Sequence, residues 1–145
     1  MVELLEKKCD ASVLEEVANS LQDLMGSTAK FMNFVEKFLP EPPTTRPQAV
    51  FQINWAWTSK DGGALKQRVA KIYDLRSKAL HQAIPFPSIL CSAPFLNGTH
   101  AYVECPSGGV TDGSSSWKKS ELPMHLHIFA YIVRGAILRW AAQAN

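Results

Sequence analysis

The sequence is poor in the features that assign a chain at a glance. It has three cysteines, Cys9, Cys91 and Cys105, an odd number, and no CxxC pair. A disulfide framework or a zinc ribbon is not expected from such a set; free, buried thiols in a reducing compartment are. Long apolar runs are also missing. The longest extends from Leu126 to Val133, is broken by His127 and ends at Arg134. A membrane span needs about 20 residues. From Glu3 to Asp10 the chain is polar and charged, without the apolar centre of an export signal. The expectation is a cytoplasmic protein with no membrane partner, in which the sequon Asn97-Gly98-Thr99 has no use. Excess charge is small: 15 basic and 13 acidic side chains leave +2. That excludes a polybasic nucleic-acid binder of the histone kind and leaves room for a local basic site. No internal repeat occurs.

What is present is an ordinary globular composition, 46% apolar and 19% charged over 145 residues. This fits one domain, residues 1–145, with enough chain to bury a core. Two segments punctuate it. The first runs from Pro40 to Gly63, with Pro42, Pro43 and Pro47. The second runs from Pro85 to Ser116 and is rich in Pro, Gly and Ser towards its end. Proline and glycine at such density break helices.

The remainder reads as four helices. Val13, Leu14, Val17, Leu21 and Leu24 make one helical stripe over Ser12 to Met25. Ser27 can cap a second helix from Thr28 to Leu39, with Phe31, Phe34, Val35 and Phe38 on one face and Pro40 as its stop. A third helix is predicted from Asp61 to Ala83, ended by Ile84-Pro85. A last helix is predicted from Ser120 to Gln143, apolar on nearly all sides. Such a helix is covered on more than one side, by the core and by a partner subunit. Asn97-Gly98 suits a tight turn, so a short β-hairpin of Ser88–Leu96 and Thr99–Cys105 is a further option, weakened by Pro94. Ala49 to Thr58 fits a short helix or an ordered loop.

The third helix carries a charge where none is expected. At about 100° per residue, Arg76 falls on the line of Leu65, Val69, Ile72, Ala79 and Ala83. A guanidinium there must either be paired, to Asp74 or Glu36 for example, or face a wet cleft. Tyr73, Ser77 and His81 form a second row beside it. His81 lies five residues after Arg76, where it either complements the helix dipole or moves a proton. The second option has a chemistry. A permanently charged Arg holds a phosphate and steadies charge on phosphorus. A His titrating near neutrality can take the proton of a ribose 2′-hydroxyl. One Arg and one His make a thin site; two copies facing each other make a fuller one.

Other polar residues read as less specific. His125 and His127 would stand about 200° apart on one helix, too far round to hold one metal together. Cys91, His100 and Cys105 offer three ligands without a fourth. Arg68, Lys71 and Lys78 read as a solvated face of the third helix, with an RNA track as the other option. Trp55, Trp57 and Trp117 read as packing residues, with base stacking as the alternative.

The run Tyr73-Asp74-Leu75-Arg76-Ser77-Lys78-Ala79-Leu80-His81 resembles the signature of the HEPN superfamily, in which Arg and His are four to six residues apart. It is most similar to the abortive-infection-type (ApeA-like) branch, with its Arg-Ser pair and four residues between Arg and His. The similarity covers Leu65 to Ala83 and, more loosely, Tyr131 to Leu138 in the last helix. The resemblance implies an all-α, up-down bundle of four main helices that forms a homodimer through its third and last helices. Such a domain is often the C-terminal part of a longer chain. It implies a metal-independent endoribonuclease that cuts single-stranded RNA at a composite interface site, in a toxin or antiviral-defence system, with an antitoxin or sensor protein as a further partner. Carried over, Arg76, His81 and Ser77 are the catalytic residues, Tyr73 and Lys78 bind substrate, and neither metal nor cofactor is required. The alternative implied is a non-catalytic dimerisation or ligand-sensing module.

Overall fold

The structure, a computed structural model, describes residues 26–60, 63–98, 100–106 and 122–143. The chain divides into two compact units, Met1–Asn33 and Phe34–Asn145. Of the first unit the described residues are 26–33, which are helical. The helix expected over Ser12–Met25 lies outside the described residues, as do residues 107–121.

Three α-helices and two short 3-10 turns make up the regular structure among the described residues, with no strand. Helix α1 covers residues 26–37, so Ser27 lies within it and does not cap it. It ends two residues before the expected Leu39, at a turn that leads into the buried Pro40. Helix α2 covers Leu65–Gln82 and helix α3 covers Leu126–Gln143. No helix among the described residues is long and apolar enough to cross a membrane.

The start of α2 falls four residues after the expected Asp61, and its unpaired donors show why. The N–H groups of Leu65 and Lys66 donate to the carbonyls of Ala56 and Trp57, at 2.9 and 3.1 Å. The preceding aromatic segment therefore closes the first turn in place of a capping side chain. That segment is a 3-10 turn, Ala49–Phe51, followed by irregular chain. The other end of α2 stops at Ala83, whose φ of 54° is left-handed. Helix α3 begins six residues after the expected Ser120. Leu122 to His125 is non-helical and buried, and Pro123 keeps the residue before it out of the α region. The His125 carbonyl accepts from the N–H groups of Ile128 and Phe129, which makes His125 the cap residue of α3.

The expected hairpin reduces to one antiparallel bridge, Leu96 with Tyr102, around Gly98 at φ 65°. Its return arm finds other partners. The Glu104 and Cys105 N–H groups both donate to the Phe51 carbonyl, and the Glu104 carbonyl accepts from His125 N–H at 2.9 Å. Residues 101 and 103–106 are thus buried between the 51–53 and 122–125 segments. Around this spine the core draws on Val35 of α1 and Phe38 in the turn after it, Leu65, Val69 and Ile72 of α2, and Ile128, Ile132 and Ala136 of α3, with Leu90 and Met124 from the connections. Ile128, Ile132 and Ala136 recur every four residues, one stripe of α3. Off this stripe Leu126, Phe129 and Val133 are half-buried, and Tyr131, Ile137, Leu138 and Trp140 are exposed.

Candidate functional site

Helix α2 buries Leu65, Arg68, Val69 and Ile72, all in its first half. Beyond Ile72 no residue of the helix is fully buried, and Leu80 is 63% exposed. The apolar line that ran through Arg76 is therefore covered only as far as Ile72. Arg76 is exposed and not embedded in the core. Its guanidinium lies over the Tyr73 ring, 5.8 Å from the centroid. Neither suggested acid holds it: Asp74 pairs with Lys78 at 2.9 Å, and among the described residues Arg76 forms no salt bridge. His81 is exposed in the last turn of α2, while Tyr73, Ser77 and Lys78 are half-buried. The five residues thus share the outer half of one helix. Five residues turn a helix by about 140° and advance it about 7.5 Å, so Arg76 and His81 of one chain diverge.

The embedded guanidinium of α2 is Arg68. The reading of Arg68 as part of a solvated face is corrected here: it is buried, its Nε donates to the Gly63 carbonyl at 3.2 Å, and its Nη1 donates to the Leu122 carbonyl. Burial lowers its pKa from the usual arginine value. It ties the start of α2 to the approach of α3.

A second polar group surrounds Glu104, which is 1% exposed. Arg46 grips its carboxylate with two bonds, Nε to Oε1 at 2.8 Å and Nη2 to Oε2 at 2.6 Å. The Ile53 N–H donates to Oε2 at 2.8 Å, and Arg46 Nη2 also donates to the Ile53 carbonyl. A fork of this geometry is among the stronger pairings available to a carboxylate. It holds the Arg46 pKa above its usual value, against the cost of burial. The same guanidinium lies 5.6 Å from the Trp55 ring. The sequence holds no motif for this pair, whose partners are 58 residues apart.

Next to Glu104 stand His125 and His127. Because His125 caps α3 instead of lying within it, the 200° separation expected on a continuous helix does not apply. The two rings lie nearly parallel, centroids 5.7 Å apart. Phe95 meets His125 edge-on at 6.0 Å and Tyr102 meets His127 at 6.1 Å. The Nε2 atoms of both histidines are buried without a hydrogen-bond partner among the described residues. Burial, then the neighbouring His127, pushes the His125 pKa down to about 4, with a hydrogen bond to the Ile89 backbone opposing. Burial also lowers that of His127, while Glu104 raises it. Both imidazoles are therefore neutral at pH 7. Among the described residues no three His, Cys, Asp or Glu side chains gather where they could hold a metal ion. Cys91 is exposed, and the buried Cys105 thiol donates to the Gln52 carbonyl at 3.9 Å.

His127 and Glu104 also form part of the wall of a cleft of about 200 Å³ with Pro43, Tyr102, Ile128 and Tyr131. A larger, shallower groove of about 410 Å³ runs along α3 between Phe129, Ala130, Val133, Arg134, Ile137 and Leu138. No family model, no curated protein and no solved structure matches the chain.

Proposed function

We propose that the chain is a metal-independent endoribonuclease of the HEPN type, cytoplasmic and homodimeric, acting on single-stranded RNA in a toxin or antiviral-defence setting. The observation that carries this reading is an exposed Arg76, without a salt bridge among the described residues, five residues before an exposed His81. An arginine kept for stability would be expected to hold a carboxylate, as Arg46 does, or backbone carbonyls, as Arg68 does; this one is available to a phosphate. Because Arg76 and His81 of one helix diverge, a second copy supplies the facing half of the site. The uncovered apolar side of α3 supports such an assembly.

In the reaction the ribose 2′-oxygen attacks the adjacent phosphorus and the bond from phosphorus to the 5′-oxygen breaks. His81 takes the 2′-hydroxyl proton, and a protonated imidazole returns one to the leaving 5′-oxygen. Arg76 binds the phosphate and steadies its added charge. Ser77 orients His81 or the phosphate, and Tyr73 and Lys78 contact the strand. Products carry a 2′,3′-cyclic phosphate and a 5′-hydroxyl. The test is cleavage of an unstructured RNA in EDTA. Wild type should cut, and His81→Ala and Arg76→Ala should each lose about a hundredfold or more. An inert wild type, or variants that cut equally well, would refute the proposal.

A second reading, a non-catalytic dimerisation module, is favoured by the α3 groove alone, since it needs no Arg or His. It predicts wild-type protein that sediments as a dimer and leaves RNA intact.

A further inference from the structure

The cleft between Tyr102 and Tyr131 has no part in the reaction proposed above, yet it is built as a binding site. Its volume of about 200 Å³ compares with about 150 Å³ for an apolar cavity that takes up benzene. That admits a single one- or two-ring group and excludes a folded peptide segment. Its accessible wall is almost wholly apolar. Tyr102 and Tyr131 are 54% and 40% exposed, large areas of aromatic surface to leave in water. Both rings are held by aromatic neighbours. Tyr102 stands edge-on to His127. Tyr131 stands edge-on to Trp55, at 6.1 Å and 68°, and its hydroxyl donates to the Glu41 carbonyl at 3.0 Å. Rings fixed in advance lose little freedom when a ligand stacks on them.

Charge selects the ligand class. A carboxylate among aromatic rings would by itself suit an ammonium group. Here the Glu104 carboxylate is already neutralised by the two-pronged Arg46 contact, so a second cation would find no free negative charge and a guanidinium close by. An anion would lose its water against an apolar wall while the nearby guanidinium is already committed to Glu104. A neutral planar ring remains. The His127 Nε2 is itself buried and the accessible wall is almost wholly apolar, so stacking and not hydrogen bonding would hold that ring.

We infer that the cleft is a nucleobase-binding pocket, in which a neutral base stacks against the exposed tyrosines. The choice of a nucleobase among neutral rings rests on the RNA reading given above. The pocket would hold one unstacked base of a bound strand, which stacking platforms do with little regard to sequence.

The test is titration of the whole chain with adenosine and with uridine, followed by NMR shifts of the Tyr102 and His127 rings. Neither nucleoside contains a bond for the nuclease to cut, so the result is independent of cleavage. Saturable shifts with at least one nucleoside are expected, weakened about tenfold or more in Tyr102→Ala and largely kept in Tyr102→Phe. Removing a side chain that is more than half exposed leaves the core intact, and an unchanged dispersion of the other resonances checks this. No saturable shift with either nucleoside, or equal binding by Tyr102→Ala, would overturn the inference. So would binding of N-acetyltryptophanamide in the absence of nucleoside binding, which would make this a site for a peptide aromatic. Nucleoside binding by a protein that leaves RNA uncut would sustain the pocket while the nuclease reading fell.

Discussion

Acid should weaken this protein through one identifiable side chain. His125 is 3% exposed, with Nε2 unpartnered among the described residues and a neighbouring imidazole against its ring. A proton placed there is shut away from solvent beside a second imidazole, which outweighs its hydrogen bond to the Ile89 backbone, and the pKa falls to about 4. In the unfolded chain the same group takes a proton near pH 6.5. The folded value is the lower one, so the unfolded state binds the proton first as pH drops. Stability is therefore complete above about pH 6.5 and declines steadily to about pH 4. The whole effect is about 3 kcal/mol, at about 1.4 kcal/mol for each tenfold in proton affinity. About 2.5 kcal/mol of it is gone by pH 4.5. His127 contributes in the same direction, tempered by Glu104.

The assay is urea unfolding at pH 7.5 and pH 4.5 for wild type and His125→Asn, which keeps a polar group in place but does not titrate. Carboxylate protonation affects both proteins alike and drops out of the comparison. With a denaturant slope of about 2 kcal/mol per molar, the wild-type midpoint should fall by about 1 M more than that of the variant. Equal falls would refute the argument, because they would mean that His125 gains its proton in the folded state without cost.

Four further variants follow from single contacts and one backbone angle. Arg46→Met should destabilise by about 3–5 kcal/mol, since it strands a carboxylate that cannot reach water. Glu104→Gln should cost less, because the Arg46 side chain is 22% exposed and can turn to solvent, and urea titrations of the two variants would show the order. Gly135→Ala should lower stability by about 1–2 kcal/mol although alanine is the better helix former. Its Cβ would lie 2.7 Å from two carbons of the Pro40 ring, and calorimetry would record the lower midpoint. Ala83→Gly should raise stability by up to about 1 kcal/mol, as glycine holds φ 54° without steric cost, and a higher thermal midpoint would show it.

Much of the helical framework was legible because it depends on local rules. Pro40 ends α1 close to where a proline must, and Pro85 sets the limit of α2 within a residue. Helix starts were less legible. The α2 donors are satisfied by carbonyls of Ala56 and Trp57, from a segment with no recognisable capping signal. At α3, the backbone of His125 binds both ways: its N–H to Glu104, its carbonyl to the first turn. That tertiary contact fixed the start and placed the two histidines side by side, where helical spacing had set them apart. The hairpin was misjudged for a related reason. Asn97-Gly98 does turn the chain, but the return arm gains more by inserting between two other segments than by pairing with an arm interrupted by Pro94.

The two arginines of α2 show where pattern reading stops. Arg76 lies on the apolar line and Arg68 lies off it, so periodicity assigns the first to the core and the second to solvent. The structure encloses Arg68, and of the two options left for Arg76, a buried pair or a wet surface, it shows an exposed side chain without a salt bridge among the described residues. Periodicity reports direction around the axis and carries no information on how far along the axis the rest of the molecule extends. Cover over α2 ends near Ile72, so a residue facing inward at position 76 faces solvent. Cover near the start of α2 is deep enough to enclose Arg68, with the Gly63 and Leu122 carbonyls satisfying it. The same consideration separates their chemistry. An arginine whose donors are consumed by backbone carbonyls is a fastener, and its loss should appear as lost stability. Arg76 keeps its donors free of carboxylates among the described residues, and its loss should appear in phosphate chemistry with the fold intact. Arg68→Met and Arg76→Met compared by urea titration and by RNA cleavage would therefore separate the roles: a stability loss confined to the first and an activity loss confined to the second.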